Sequence, residues 1–136
     1  MRSLLQGCRL FLLLIGIAAS LAYATATLDK AALIGTWDYT SYTTLQKGKP
    51  SGIVHFAPGT LVFTYRENGT WEMEAADSRH TRHNGTFEVK GNELIMKNSD
   101  GSSYQDFQVE MSDDKNEMTM RDHQSIVTAT KLGVGR

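Results

Sequence analysis

The sequence predicts an all-β protein: a single antiparallel up-and-down barrel of about eight or nine short strands, preceded by a short helical turn. Three observations carry this reading. From Ile34 onward no segment sustains a helical period, and short runs rich in Thr, Val, Ile, Tyr, Phe and Trp recur instead. Those runs alternate apolar with polar residues, which is the mark of an antiparallel sheet with one dry and one wet face. The connections are mostly tight turns, and a meander of so many strands curls and closes to hide its edges. A two-sheet sandwich is the second architecture.

The elements follow in order. Arg2 and Arg9 flank a polar start, Leu10–Ala19 is apolar, and Ser20, Ala22, Ala24 and Ala26 are small. That sequence of parts is a secretory signal peptide, with cleavage expected after Ala24 and Ala26 as the second site. A retained anchor is the rival, but the apolar run is shorter than the roughly 20 residues a bilayer span needs. Cys8 precedes the apolar run, so it does not fit a lipid-attachment box. Residues 25–136 then form one domain, exported to the periplasm or secreted, with no stable membrane insertion after cleavage. Thr27–Leu33 suits one or two helical turns, with Thr27 as N-cap.

The strands are expected at Ile34–Leu45, Ile53–Phe56, Thr60–Arg66, Thr70–Ala75, Thr86–Lys90, Glu93–Asn98, Ser103–Met111, Glu117–Asp122 and Ser125–Leu132. Lys47–Gly52 and Ala57-Pro58-Gly59 are turn-rich, and Ala76–His83 reads as a polar loop. Asn68-Gly69, Asn84-Gly85, Gly91-Asn92 and Asp100-Gly101 are turn signals, because such pairs accept positive φ. Alternation supports the strands: Trp71, Met73 and Ala75 oppose Glu72 and Glu74, while Phe107, Val109 and Met111 oppose Asp106, Gln108 and Glu110. Glu67–Glu72 and His83–Glu88 share an Asn-Gly-Thr core, which reads as one hairpin chemistry used twice.

Composition narrows the function. The chain has 136 residues, and residues 25–136 hold 12 Lys+Arg against 15 Asp+Glu, a net charge of −3. That balance gives no basic face for nucleic acid. Cys8 is the single cysteine, so no disulfide framework exists. No Gly-x-Ser-x-Gly, catalytic cysteine or phosphate-cradling glycine loop is present, so no catalytic residue and no cofactor is assigned. His80 and His83 with Asp77 have the residue types of a metal site, but they lie on a loop beside Arg79 and Arg82, which repel a cation. No metal site is assigned.

Leu33-Ile34-Gly35-Thr36-Trp37-Asp38-Tyr39 resembles the opening of lipocalin-like and other calycin barrels, where Gly-x-Trp starts the first strand after a helical turn. The later Asn-Gly-Thr, Asn-Gly-Thr-Phe, Gly-Asn-Glu-Leu and Thr-Ala-Thr-Lys pieces are similar to those of short bacterial lipocalin-like domains. The resemblance spans Leu28 to about Leu132. It implies that Gly35 and Trp37 plug one end of the barrel, and that a basic side chain near the end of the chain stacks on the tryptophan. Arg121 and Lys131 are the candidates. The second motif of vertebrate-type lipocalins is absent. Lys47–Gly52 is too short for the helical hairpin of fatty-acid-binding proteins. Trp37 and Trp71 are fewer tryptophans than avidin-type barrels use.

Within such a barrel, alternation sends Tyr39, Phe63, Tyr65, Trp71, Met73, Phe87, Met96, Phe107 and Met120 inward. These are the candidate ligand-binding residues, since aromatic and methionine side chains line adaptable apolar pockets. A barrel of this size is either filled by its side chains or holds one small ligand. The expected function is therefore an exported binding protein for a small apolar or amphipathic ligand. The alternative is a solid barrel that binds a protein partner or acts as an inhibitor at the cell envelope.

Overall fold

The computed structural model describes residues 27–133. The expected signal segment and its cleavage sites lie outside the described residues. One helical turn, α1 (Lys30–Leu33), is followed by nine strands: β1 (Gly35–Gln46), β2 (Lys49–His55), β3 (Leu61–Tyr65), β4 (Thr70–Ala75), β5 (Arg82–Lys90), β6 (Glu93–Asn98), β7 (Ser103–Met111), β8 (Glu117–Arg121) and β9 (Ser125–Lys131). All pairings are antiparallel, in the order β2-β1-β3-β4-β5-β6-β7-β8-β9, and β1 also pairs with β9. Eight strands therefore close a barrel, and β2 is an extra strand outside the ring.

The length of β1 explains this arrangement. Its first residues, Gly35–Asp38, pair with β3, and Ser41–Gln46 on the same edge pair with β2. β2 and β3 thus lie end to end along one neighbour, separated by the bend Phe56–Thr60. Asp38 holds that bend by accepting the Gly59 N–H on both carboxylate oxygens, each at 3.1 Å. On the other edge β9 pairs along most of β1, with a skip at Thr40. A residue inserted this way resets the alternation, so Tyr39 and Tyr42 both turn toward the interior. Sequence alternation alone places Tyr42 outside.

The boundaries of β4, β6 and β7 match the sequence expectation to the residue. Three local expectations need correction. Asp29, not Thr27, caps α1, with its side chain accepting the Ala31 N–H at 3.0 Å. The turn after β1 is only Lys47-Gly48, and Lys49–Gly52 already belongs to β2. Pro50 is tolerated there because edge strands do not need every ladder donor. Asn84-Gly85 is not a turn but the middle of β5. A Cβ at Gly85 would overlap the Lys97 carbonyl oxygen and lie 2.8 Å from Trp71 Nε1. Glycine is there for close packing, whereas the similar Asn68-Gly69 is a true turn with Gly69 at φ 84°.

The core is one cluster inside the barrel, with Trp37, Trp71, Tyr65, Leu33, Leu94, Met96, Met118 and Met120 among its fully buried members. No buried side-chain nitrogen or oxygen among the described residues lacks a hydrogen-bond partner. Among the described residues no helix is long and apolar enough to cross a membrane.

Candidate functional site: the barrel interior and its mouth

The interior has a plugged end, a middle layer and a mouth. At the plugged end, α1 lies across the barrel. Trp37 is fully buried, and its indole Nε1–H donates to the Leu33 carbonyl at 2.8 Å, fixing ring to helix. Lys131 places its Nζ 5.5 Å above the Trp37 ring and donates to the Ala32 carbonyl at 3.0 Å. Of the two candidate basic residues, Lys131 therefore stacks on the tryptophan, and Arg121 sits on β8 with its side chain outward. Gly35 has φ 137°, and a Cβ there would meet Lys131 Cε at 2.8 Å. The Gly-x-Trp pattern thus has a local physical cause: the glycine clears the path of the lysine that covers the tryptophan.

The middle layer is made of touching side chains. Tyr39 stacks on Phe63 with ring centroids 4.3 Å apart, and Tyr65 meets Phe87 edge-on at 5.4 Å. The hydroxyls of Tyr39 and Tyr65 lie 3.4 Å apart. Each also faces a methionine sulfur at 3.7 Å, Met120 for Tyr39 and Met96 for Tyr65. Sulfur is a weak acceptor, so this polar pair keeps acceptor capacity inside an apolar shell. Burial pushes both phenols well above their ordinary range, and Tyr39 is raised further by its tyrosine neighbour. Both stay neutral at physiological pH. Phe107 is buried here as well.

The mouth is lined by the strand ends opposite α1. Trp71 donates its Nε1–H to the Lys97 carbonyl at 2.9 Å. His83 stacks on it at 6.0 Å, Tyr104 tilts against it at 4.7 Å, and Tyr104 and His83 are 5.7 Å apart. His83 Nε2 is 3.1 Å from Asn98 Oδ1. Met73 stands opposite His83 in register and is half-buried, as are Tyr42, Leu61 and Phe56 against the same core. The sequence-predicted residues thus divide: Met73 is at the mouth with Trp71 beneath it, and Tyr39, Phe63, Tyr65, Phe87, Met96, Phe107 and Met120 are deeper.

Sequence reasoning missed Tyr104 and placed His83 in a solvated loop, Ala76–His83, at the barrel rim, among residues expected to select the ligand. Alternation counted from Phe107 puts Tyr104 on the wet face, but the register shifts between Met96 and Lys97 and Tyr104 reaches Trp71. His83 reads as part of a solvated loop, yet β5 begins at Arg82 and directs its ring onto Trp71. The signal available for His83 was its phase with Gly85 and Phe87 two and four residues on. Nothing local marks the bulge.

The polar features nearby do not converge on a metal. Asp77 accepts the Thr81 hydroxyl at 2.6 Å and the backbone N–H groups of Thr81 and Arg79, and these bonds hold its carboxyl below the usual range. No group of three metal-ligating side chains comes together among the described residues. On the outer wall, the β7–β8 ladder stops at Gln108 and Arg121. A groove of about 710 Å³ opens there, lined by Glu93, Asp106, Arg121 and His123 around Phe107. All but one of the side chains that line it, Phe107, are polar or charged.

A lipocalin-like domain model matches residues 33–120. Among solved structures, the chain is similar to a lipocalin-like protein from Bacteroides uniformis, with 15% identity and a TM-score of 0.57, covering 74% of this chain and 99% of that one. It is also similar to an uncharacterized protein from Bacteroides eggerthii, with 12% identity and a TM-score of 0.54, at the same coverage. No curated protein matches the chain. The plugged barrel, its Gly-x-Trp opening and the match over most of the domain together make this chain a member of the lipocalin-like domain family.

Proposed function

We propose that the protein is exported and binds a small apolar or amphipathic molecule at the mouth of the barrel. The observation that supports this most is the change in burial along the interior. Trp37, Tyr65 and Met120 are fully buried, while Tyr42, Met73 and Tyr104 near the mouth are apolar and half-exposed. A ligand seated on the Trp71 layer gains apolar contact without opening the middle layer, and His83 and Asn98 offer it polar atoms. The basic start, apolar run and small-residue end of residues 1–24 are what supports a role outside the cytoplasm.

The test is a titration of protein expressed from the full chain with an environment-sensitive apolar fluorophore, in competition with long-chain carboxylic acids. Saturable one-to-one binding is expected, weakened about tenfold by Tyr104→Ala, in line with about 1.4 kcal/mol of lost apolar and aromatic contact. Absence of saturable binding to folded protein overturns the reading.

A second reading, a solid barrel that binds a protein, is supported by contacts that reach across the interior, Tyr39 to Met120 and Tyr65 to Met96 at 3.7 Å each.

A further inference from the structure

β2 differs from the eight ring strands in having a free long edge. It pairs with β1 alone among the described residues, and all seven of its residues are exposed. Ile53 and Val54 are 57% and 56% exposed. The direction of its backbone groups follows from the ladder. The Phe56 N–H donates to the Thr40 carbonyl at 3.0 Å. In an antiparallel pair, alternate residues face the same neighbour. Val54 and Gly52 therefore face β1, and Ile53 and His55 turn their N–H and C=O groups to the free edge.

Exposed edges are usually blunted by lysine, proline or a bulge. The tip of this hairpin has all three, in Lys47, Lys49, Pro50 and the register shift between Thr44 and Leu45. Gly52–His55 has none of them, and its two β-branched residues favour strand pairing.

We propose that the Gly52–His55 edge docks an extended acidic segment of another protein, which adds to β2 as a further strand. Charge selects this occupant. The hairpin turn and β2 supply Lys47, Lys49 and His55 and no carboxylate. At the other end of the edge, the Ala76 N–H donates to the Thr60 carbonyl at 2.9 Å. That bond ties the β4–β5 loop, with Arg79 and His80, beside the bend that follows β2. Asp77 in the same loop is turned to Thr81 and the Arg79 backbone. A second copy of the chain is disfavoured in the register about Gly52, which sets Lys49 against His55 and Pro50 against Val54, and self-pairing in another register is an outcome of the test. Residues 1–26 and 134–136 carry three arginines and no Asp or Glu side chain, so the same argument disfavours them.

The experiment titrates isotope-labelled protein, expressed from the full chain, with two short synthetic peptides. Both share an alternating valine–threonine core; one has aspartate and glutamate at both ends, the other lysine and arginine. The acidic peptide is expected to bind about tenfold more tightly at low salt, the advantage shrinking as salt is raised. It is expected to slow amide exchange at Ile53 and His55 and to leave Val54 unchanged. The pair Lys47→Glu and Lys49→Glu, both exposed and outside the core, should reverse the preference. Equal affinities, no binding of either peptide, perturbations confined to the barrel interior, or a β2-mediated dimer in sedimentation without peptide would each overturn the proposal.

Discussion

The plugged end and the mouth of this barrel use aromatic residues for opposite purposes. At the plugged end Trp37 is enclosed by a hydrogen bond to Leu33, a lysine over its face and a helix across its edge. At the mouth Trp71 is also buried, but its cover is His83, which is exposed, and Tyr104, which is half-exposed. The first arrangement concentrates stability. The second leaves apolar surface that another molecule can cover. Under the proposed function, stability and binding lie at different ends of one short barrel, in keeping with binding segments coming from the less stable parts of a fold.

The largest expected effect is at the plug. Trp37→Ala should cost about 3–5 kcal/mol, the usual range for removing a buried tryptophan. Met73→Ala at the mouth should cost about 1–2 kcal/mol, because its side chain is only half-buried. Urea denaturation of both variants decides the matter, and similar losses would erase the contrast between the ends. Next comes Gly85→Ala, where the new methyl meets the Lys97 carbonyl and the Trp71 indole. A loss of about 2–3 kcal/mol is expected from overpacking, with a change in Trp71 fluorescence that separates it from a simple loss of strand propensity.

The middle layer gives a smaller, pH-graded effect. Tyr39 and Tyr65 have raised folded pKa values, so both keep their protons at a pH where the unfolded chain loses them. Their contribution is complete below about pH 10 and is lost as pH rises toward the folded values. With both still protonated in the folded state, stability should fall by up to about 2.7 kcal/mol per pH unit, the full slope being reached about one unit above that point. Tyr39→Phe should reduce the slope to about 1.4 kcal/mol per unit. An unchanged slope would place the alkaline sensitivity elsewhere.

Much of this architecture is legible in the sequence, because period-two alternation reports which face of a strand is dry. It places Trp71 and Met73 of β4, Met96 of β6 and Met120 of β8 on the dry face, where the strands' burial patterns also put them. It fails where the ladder gains a residue. The skips at Thr40 and between Met96 and Lys97 bring Tyr42 and Tyr104 inward, and neither skip has a local signature. It also misreads Asn84-Gly85, since glycine required by a tryptophan on the neighbouring strand looks identical to glycine required by a turn. The plug was readable as Gly-x-Trp, but the choice of Lys131 over Arg121 depends on where two distant strands meet. The mouth was the least legible part for the same reason: its aromatic cluster draws on β4, β5 and β7.

The most direct test of the division between the two ends uses single-tryptophan proteins. Trp71→Phe leaves Trp37 as the reporter at the plug, and Trp37→Phe leaves Trp71 near the mouth. Each is titrated with the apolar fluorophore, and energy transfer from tryptophan is followed. Strong saturable quenching of Trp71 with little change at Trp37 is the expected result. Equal quenching of both, or quenching of Trp37 alone, would contradict a mouth-seated ligand above a filled barrel.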